Sequence, residues 1–255
     1  MRHRADESNV ESMTGVVEDR PARLHRLERI RATHSYWAVL AAIFVAFFLA
    51  ALLPDTAWAT SLIVLVQSAT LFVVIWTAGW AMTERTIPVA IATAAALAAV
   101  INLFWQGEAL TVALALVAGL LTVTIAVAIA TGAIAQNEVN SRSVAGAICV
   151  YILFGLLFMF FYGILTIVGH GPFFAQGTDG TRPLRLYFSF TTLATLGYGD
   201  YTAASNLGHA LAVLEALLGQ LYLVTVVAVV VTRLGRPGRR MLKLDKESEI
   251  DGSEA

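Results

Sequence analysis

From residue 195 to residue 200 the chain reads Thr-Leu-Gly-Tyr-Gly-Asp. The stretch pairs no nucleophile with a base and holds no metal-ligand spacing, so its chemistry lies in its backbone. A cation stripped of water inside hydrocarbon costs on the order of tens of kcal/mol. A route across a membrane must therefore replace water oxygens with protein oxygens. Main-chain carbonyls suit that task, being strong dipoles with no net charge to trap the ion. Aiming successive carbonyls at one axis needs backbone angles that residues with a Cβ rarely adopt, and Gly197 and Gly199 adopt them cheaply. Thr195 adds a hydroxyl at one end, and Asp200 a carboxylate at the other.

Two elements must position this stretch. Upstream, a semi-apolar run predicts a helix from about residue 183 or 184 to 194, opened by Pro183. At 1.5 Å per residue it reaches about 15 Å, half a membrane. Downstream lies a full-length apolar run, 207–234.

Thr-x-Gly-Tyr-Gly-Asp between two spans, after a half-length helix, resembles the filter and pore loop of potassium channels, whose usual form is Thr-Val-Gly-Tyr-Gly-Asp. The resemblance is strong over 187–234 and weak before it. It implies ion sites formed by the carbonyls of Thr195, Leu196, Gly197 and Tyr198, with Gly199 completing the filter and K+ as the permeant ion. Tyr198 would brace the filter against the pore helix, and Asp200 would stand at the outer mouth. Tyr187 and Thr191 lie on the side of the half-helix expected to face the filter, with the Tyr187 hydroxyl holding Asp200. One chain offers one carbonyl per level, too few for a dehydrated ion, so one motif per chain implies a homotetramer. Leu196 stands where valine is commonest, and Ala194 where many relatives have threonine.

The last run would be the inner, pore-lining helix. Gly219 fits either a hinge or close helix packing. Gln220 beside it is placed to face a water-filled cavity. Glu215 is a carboxylate inside a span, which is expensive. A structural hydrogen bond to the pore helix of its own or a neighbouring chain is expected of it.

The whole chain supports a membrane setting. Of its 255 residues 58% are hydrophobic and 14% charged, far from a soluble domain. Mean hydropathy is +0.72. Net charge is −1, so bulk charge points to no nucleic acid. Cys149, the single cysteine, forms no intrachain disulfide. Six apolar runs are long enough to cross a bilayer: 36–53, 61–82, 87–105, 110–135, 144–168 and 207–234. Backbone groups in lipid must bond internally, so all six are read as helices. Pro54-Asp55 ends the first, and Thr83 to Thr86 with Pro88 separates the second from the third. The predicted fold is an all-α membrane protein of six transmembrane helices, with a re-entrant pore helix and filter loop between the fifth and sixth.

Four parts follow: an arm over 1–35, a four-helix membrane domain over 36–143, a pore domain over 144–234 and a short tail over 235–255. In the arm, Leu24, Leu27 and Ile30 recur at helical spacing among arginines, which suits an anionic lipid surface or a positive-inside anchor. With the N-terminus inside, all of the seventeen Lys and Arg but Arg182 and Arg185 fall on the inner side. Both termini are then cytoplasmic and the chain sits in the plasma or inner membrane. The fourth run holds no Arg or Lys, so strong voltage dependence is not expected. Gln67 and Asn102 read as ordinary interhelical hydrogen-bonding groups, and His170 and His209 as solvated or interfacial. No cofactor is expected and no converging polar set suggests an enzyme. The leading reading is passive K+ conduction. A less selective cation channel and a non-conducting subunit of a channel complex are its alternatives.

Overall fold

The structure, a computed structural model, describes residues 37–78, 82–134 and 141–234. The arm, the tail beyond 234 and two interhelical linkers lie outside these residues, and with them the expected amphipathic segment around Leu24–Ile30. Every long described element is a helix: α1 (Trp37–Leu52), α2 (Ala57–Ala78), α3 (Met82–Trp105), α4 (Glu108–Ile134), α5 (Ser141–Val168), α6 (Arg182–Leu193) and α7 (Asn206–Leu234). All of α2, α3, α4, α5 and α7 are long and apolar enough to cross a membrane. The described part of the first expected span, α1, is apolar but shorter than these five. The chain is an all-α membrane protein.

One expected break is not a break. Thr83 to Thr86 and Pro88 lie inside α3. Pro88 forfeits one backbone bond near the helix start, a loss that spanning helices tolerate where neighbouring groups re-satisfy the backbone. Glu84 and Arg85 therefore belong to the beginning of α3. The half-helix starts at Arg182 and ends at Leu193, close to the expected limits.

Small residues set how closely α2, α3 and α4 approach. Ala92, Ala95 and Ala99 recur at helical spacing on the buried face of α3, and Leu114, Ala118, Leu121 and Ile125 on that of α4. Buried amides tie the same helices. Asn102 Nδ2 donates to Ser61 Oγ and to Thr111 Oγ1, each at 3.1 Å. Gln67 Nε2 donates to Thr122 Oγ1 at 3.0 Å.

From α4 the packing passes to α5, then to α6, which lies between α5 and α7. An aromatic cluster of Phe158, Tyr162, Phe173, Phe174 and Phe188 fixes the connection that leads into α6. That connection also pairs with the segment after residue 200. Ala175 N donates to Thr202 O and Ala204 N to Phe173 O, both at 2.8 Å. The stretch 195–200 is thus held at both ends, by α6 before it and by this pairing after it.

Candidate functional site

At its start α6 is capped from a distance. Thr181 makes no side-chain cap bond, and Pro183 occupies the first turn, where its missing N–H costs nothing. The cap comes from Asp55, in the connection between α1 and α2. Its Oδ2 accepts the Arg182 backbone N–H at 3.1 Å and Arg185 Nη2 at 3.1 Å, while Oδ1 accepts Arg182 Nη2 at 2.9 Å. Arg182 Nη2 also reaches Thr60 Oγ1 at 2.9 Å. Burial pushes the Asp55 carboxyl up, but the Arg182 and Arg185 guanidiniums outweigh it and hold the group below its usual range. Sequence reading saw Asp55 only as part of a break.

At its end α6 closes in a Schellman turn. Thr195 N donates to Thr192 O at 2.9 Å and Leu196 N to Thr191 O at 2.8 Å. Gly197 N also points at Thr191 O, at 3.2 Å. The left-handed residue of this turn, usually glycine, is Thr195, with φ +56°. Holding a Cβ there costs about 1–2 kcal/mol. Left-handed φ recurs at Gly197 (+54°) and Gly199 (+77°), while Leu196 and Tyr198 keep negative φ. The sign of φ therefore alternates from 195 to 199.

The aromatic side chains brace this stretch from α6. The Tyr187 and Tyr198 rings stack with centroids 6.4 Å apart and planes 9° from parallel. The Tyr187 hydroxyl donates to Asp200 Oδ2 at 2.9 Å, and Asp200 Oδ1 accepts the Tyr201 N–H at 3.1 Å. Gln176, which sequence reading passed over, clamps the far side. Its Nε2 donates to Asp200 O at 2.8 Å and its Oε1 accepts Thr202 N at 3.3 Å. Thr191 acts through its main-chain oxygen. Its hydroxyl bonds Phe188 O within α6.

Behind α6 stands Glu215 of α7, fully buried. Oε2 accepts the Tyr162 hydroxyl and Oε1 the Ser189 hydroxyl, so one carboxyl joins α5, α6 and α7. Ser189 Oγ also lies 2.8 Å from Gly155 O. One hydroxyl proton then faces two acceptors. One turn further along α7, Gly219 is pressed against the end of α6. A Cβ there would stand 2.6 Å from Leu193 O. Close packing is what the protomer shows at Gly219. Its neighbour Gln220 is exposed. Gly155 does the same service on α5, where a Cβ would fall 2.4 Å from the Phe190 ring. Among the described residues no three of His, Cys, Asp and Glu gather as metal ligands do.

Residues 164–236 match the family model described as "Ion channel". This segment is similar to an ion-channel domain. It takes in the end of α5, the connection with its aromatic cluster, α6, the stretch of alternating φ and α7. The comparison with curated proteins and that with solved structures return no match. The likeness to ion channels is therefore confined to residues 164–236, and α1 to α4 lie outside it.

Proposed function

We propose that this chain is a potassium-selective channel, conducting K+ passively through a homotetrameric pore and without strong voltage dependence. The carbonyls of Thr195, Leu196, Gly197 and Tyr198 are the ion sites of this reading. The observation that carries it is the alternating φ of 195–199, inside the segment similar to an ion-channel domain and anchored to the C-terminal end of α6. In a β-strand successive carbonyls point to opposite sides. Alternating left- and right-handed residues turn successive peptide planes the same way, which is what a row of carbonyl ligands needs.

Exposure supports assembly around an axis. In the single protomer Leu196 is 57% and Tyr198 67% exposed. Only 11% of the apolar window of α7 is buried, against 61% for α2. A pore-lining helix and a filter that need three further copies would be bare in this way. The lack of Arg and Lys in α4 supports weak voltage dependence, since moved charge is worth about 2.3 kcal/mol per 100 mV.

Purified protein in liposomes tests the reading. With K+ and Na+ on opposite sides, the reversal potential should sit near the K+ value. Gly197→Ala, which forces a Cβ onto a left-handed residue, should abolish the current. Silence from the wild-type protein alone would favour a non-conducting subunit, and equal Na+ passage the less selective channel.

A further inference from the structure

Away from the filter, a crevice of about 210 Å³ opens between α4 and α5 beneath the start of α6. Its walls are apolar, with Val112, Ala115 and Leu116 on α4 and Phe160, Ile164 and Ile167 on α5. Its head is not. Asp55, Arg182 and Arg185 line that end. Both Asp55 oxygens are spent on the two arginines, so two guanidiniums share one carboxylate and one positive charge is left over. Asp179 meets Arg185 through its main-chain oxygen, at 3.3 Å, while its Oδ1 accepts the Phe173 N–H. Two donors in the crevice head find no protein acceptor: Arg182 Nη1 and Arg185 Nε. The side chains that carry them are 8% and 13% exposed. A buried guanidinium N–H without an acceptor is costly, and a ligand that supplied one would repay it.

We propose that the crevice is a binding site for one anionic phospholipid per chain. Its phosphodiester lies against the Arg182 and Arg185 guanidiniums at the crevice head, and an acyl chain lies between α4 and α5. The charge matches. A phosphodiester brings one negative charge to one surplus positive charge, and its two free oxygens supply acceptors to the buried Arg182 Nη1 and Arg185 Nε once the guanidiniums turn toward the crevice. The walls match in kind, and they open sideways at exposed Val112, Leu116 and Ile167, on the flank that spanning helices turn to lipid. A lone soluble anion would satisfy the head and leave the apolar walls unused. The site is independent of ion selectivity.

The full-length protein in detergent, titrated with phosphatidylglycerol or phosphatidylcholine and weighed intact by native mass spectrometry, tests this. Phosphatidylglycerol should bind once per chain and roughly five- to tenfold more tightly than phosphatidylcholine, the size expected for one partly buried charge. Arg185→Met should erase the preference. Ala115→Phe, which fills the crevice and leaves the Asp55 pairs intact, should weaken binding of the lipid whether or not Arg185→Met folds. Equal retention of both lipids would overturn the proposal, as would an Ala115→Phe protein that binds phosphatidylglycerol like wild type. Displacement of phosphatidylglycerol by millimolar inorganic phosphate would overturn the lipid assignment in favour of a free-anion site.

Discussion

The Tyr187 hydroxyl and the Asp200 carboxylate are joined at 2.9 Å, across a stack of the Tyr187 and Tyr198 rings. The bond links the middle of α6 to the last residue of the stretch 195–200, so the stretch cannot bow away from α6 without breaking it. Tyr187→Phe keeps the stack and deletes the bond. Current decay during sustained activation should change measurably, while the K+/Na+ reversal potential stays put. Unchanged decay kinetics would count against the role given to this bond.

Gly219 separates two readings by one methyl group. Gly219→Ala would place a Cβ 2.6 Å from Leu193 O, a backbone atom that cannot swing aside. Overpacking of this kind costs about 1–3 kcal/mol. The thermal midpoint of the purified protein should fall. A hinge alone predicts altered gating at an unchanged midpoint.

Glu215 tests the cluster behind α6. Glu215→Leu removes the acceptor of the Tyr162 hydroxyl and leaves Ser189 only Gly155 O. A buried hydroxyl left unsatisfied costs about 1–3 kcal/mol, so a clear loss of thermal stability is expected. Glu215→Gln keeps an acceptor for Tyr162 and offers an N–H to Ser189, and it should fall well short of that loss. Equal damage from the two would mean that the charge, not the hydrogen bonding, matters.

The Asp55 clamp makes stability depend on acid. Its folded carboxyl lies below its ordinary value of 3.8 because two guanidiniums favour the charged form. A depressed folded value adds stability that is complete above the unfolded value and fades as pH falls through the folded one. The wild-type thermal midpoint should therefore drop as pH is taken below about 4. Asp55→Asn should start lower at neutral pH and lose less over the same range, as scanning fluorimetry across the pH series would show.

Sequence reading reached some of this fold and not the rest, for physical reasons. Long apolar runs announce spanning helices because the bilayer sets their length. The runs at 110–135 and 144–168 accordingly fall close to α4 and α5. The start and end of α6 were legible from Pro183 and from the glycines that follow it. The partners of α6 were not. Asp55 caps Arg182 from 127 residues away, and nothing in a Pro-Asp turn says which helix it will cap. Glu215 stood out as an expensive carboxylate, yet Ser189 and Tyr162 are ordinary residues of their helices until packing brings them to it. Thr195 hid its left-handed φ because threonine rarely adopts one. Pro88 misled in the other direction, since the rule that ends helices in water is relaxed in lipid.

Helix α1 and the connection after it are not a detachable accessory to the matched segment 164–236. Phe190 of α6 rests edge-on against Phe47 of α1, with ring centroids 5.0 Å apart, and the opening N–H of α6 is satisfied only through Asp55. A truncated protein beginning at α5 would take the Asp55 carboxylate from two guanidiniums and an aromatic contact from α6. Moving residues 164–236 onto another membrane scaffold would thus need the connection between α1 and α2 to travel with them.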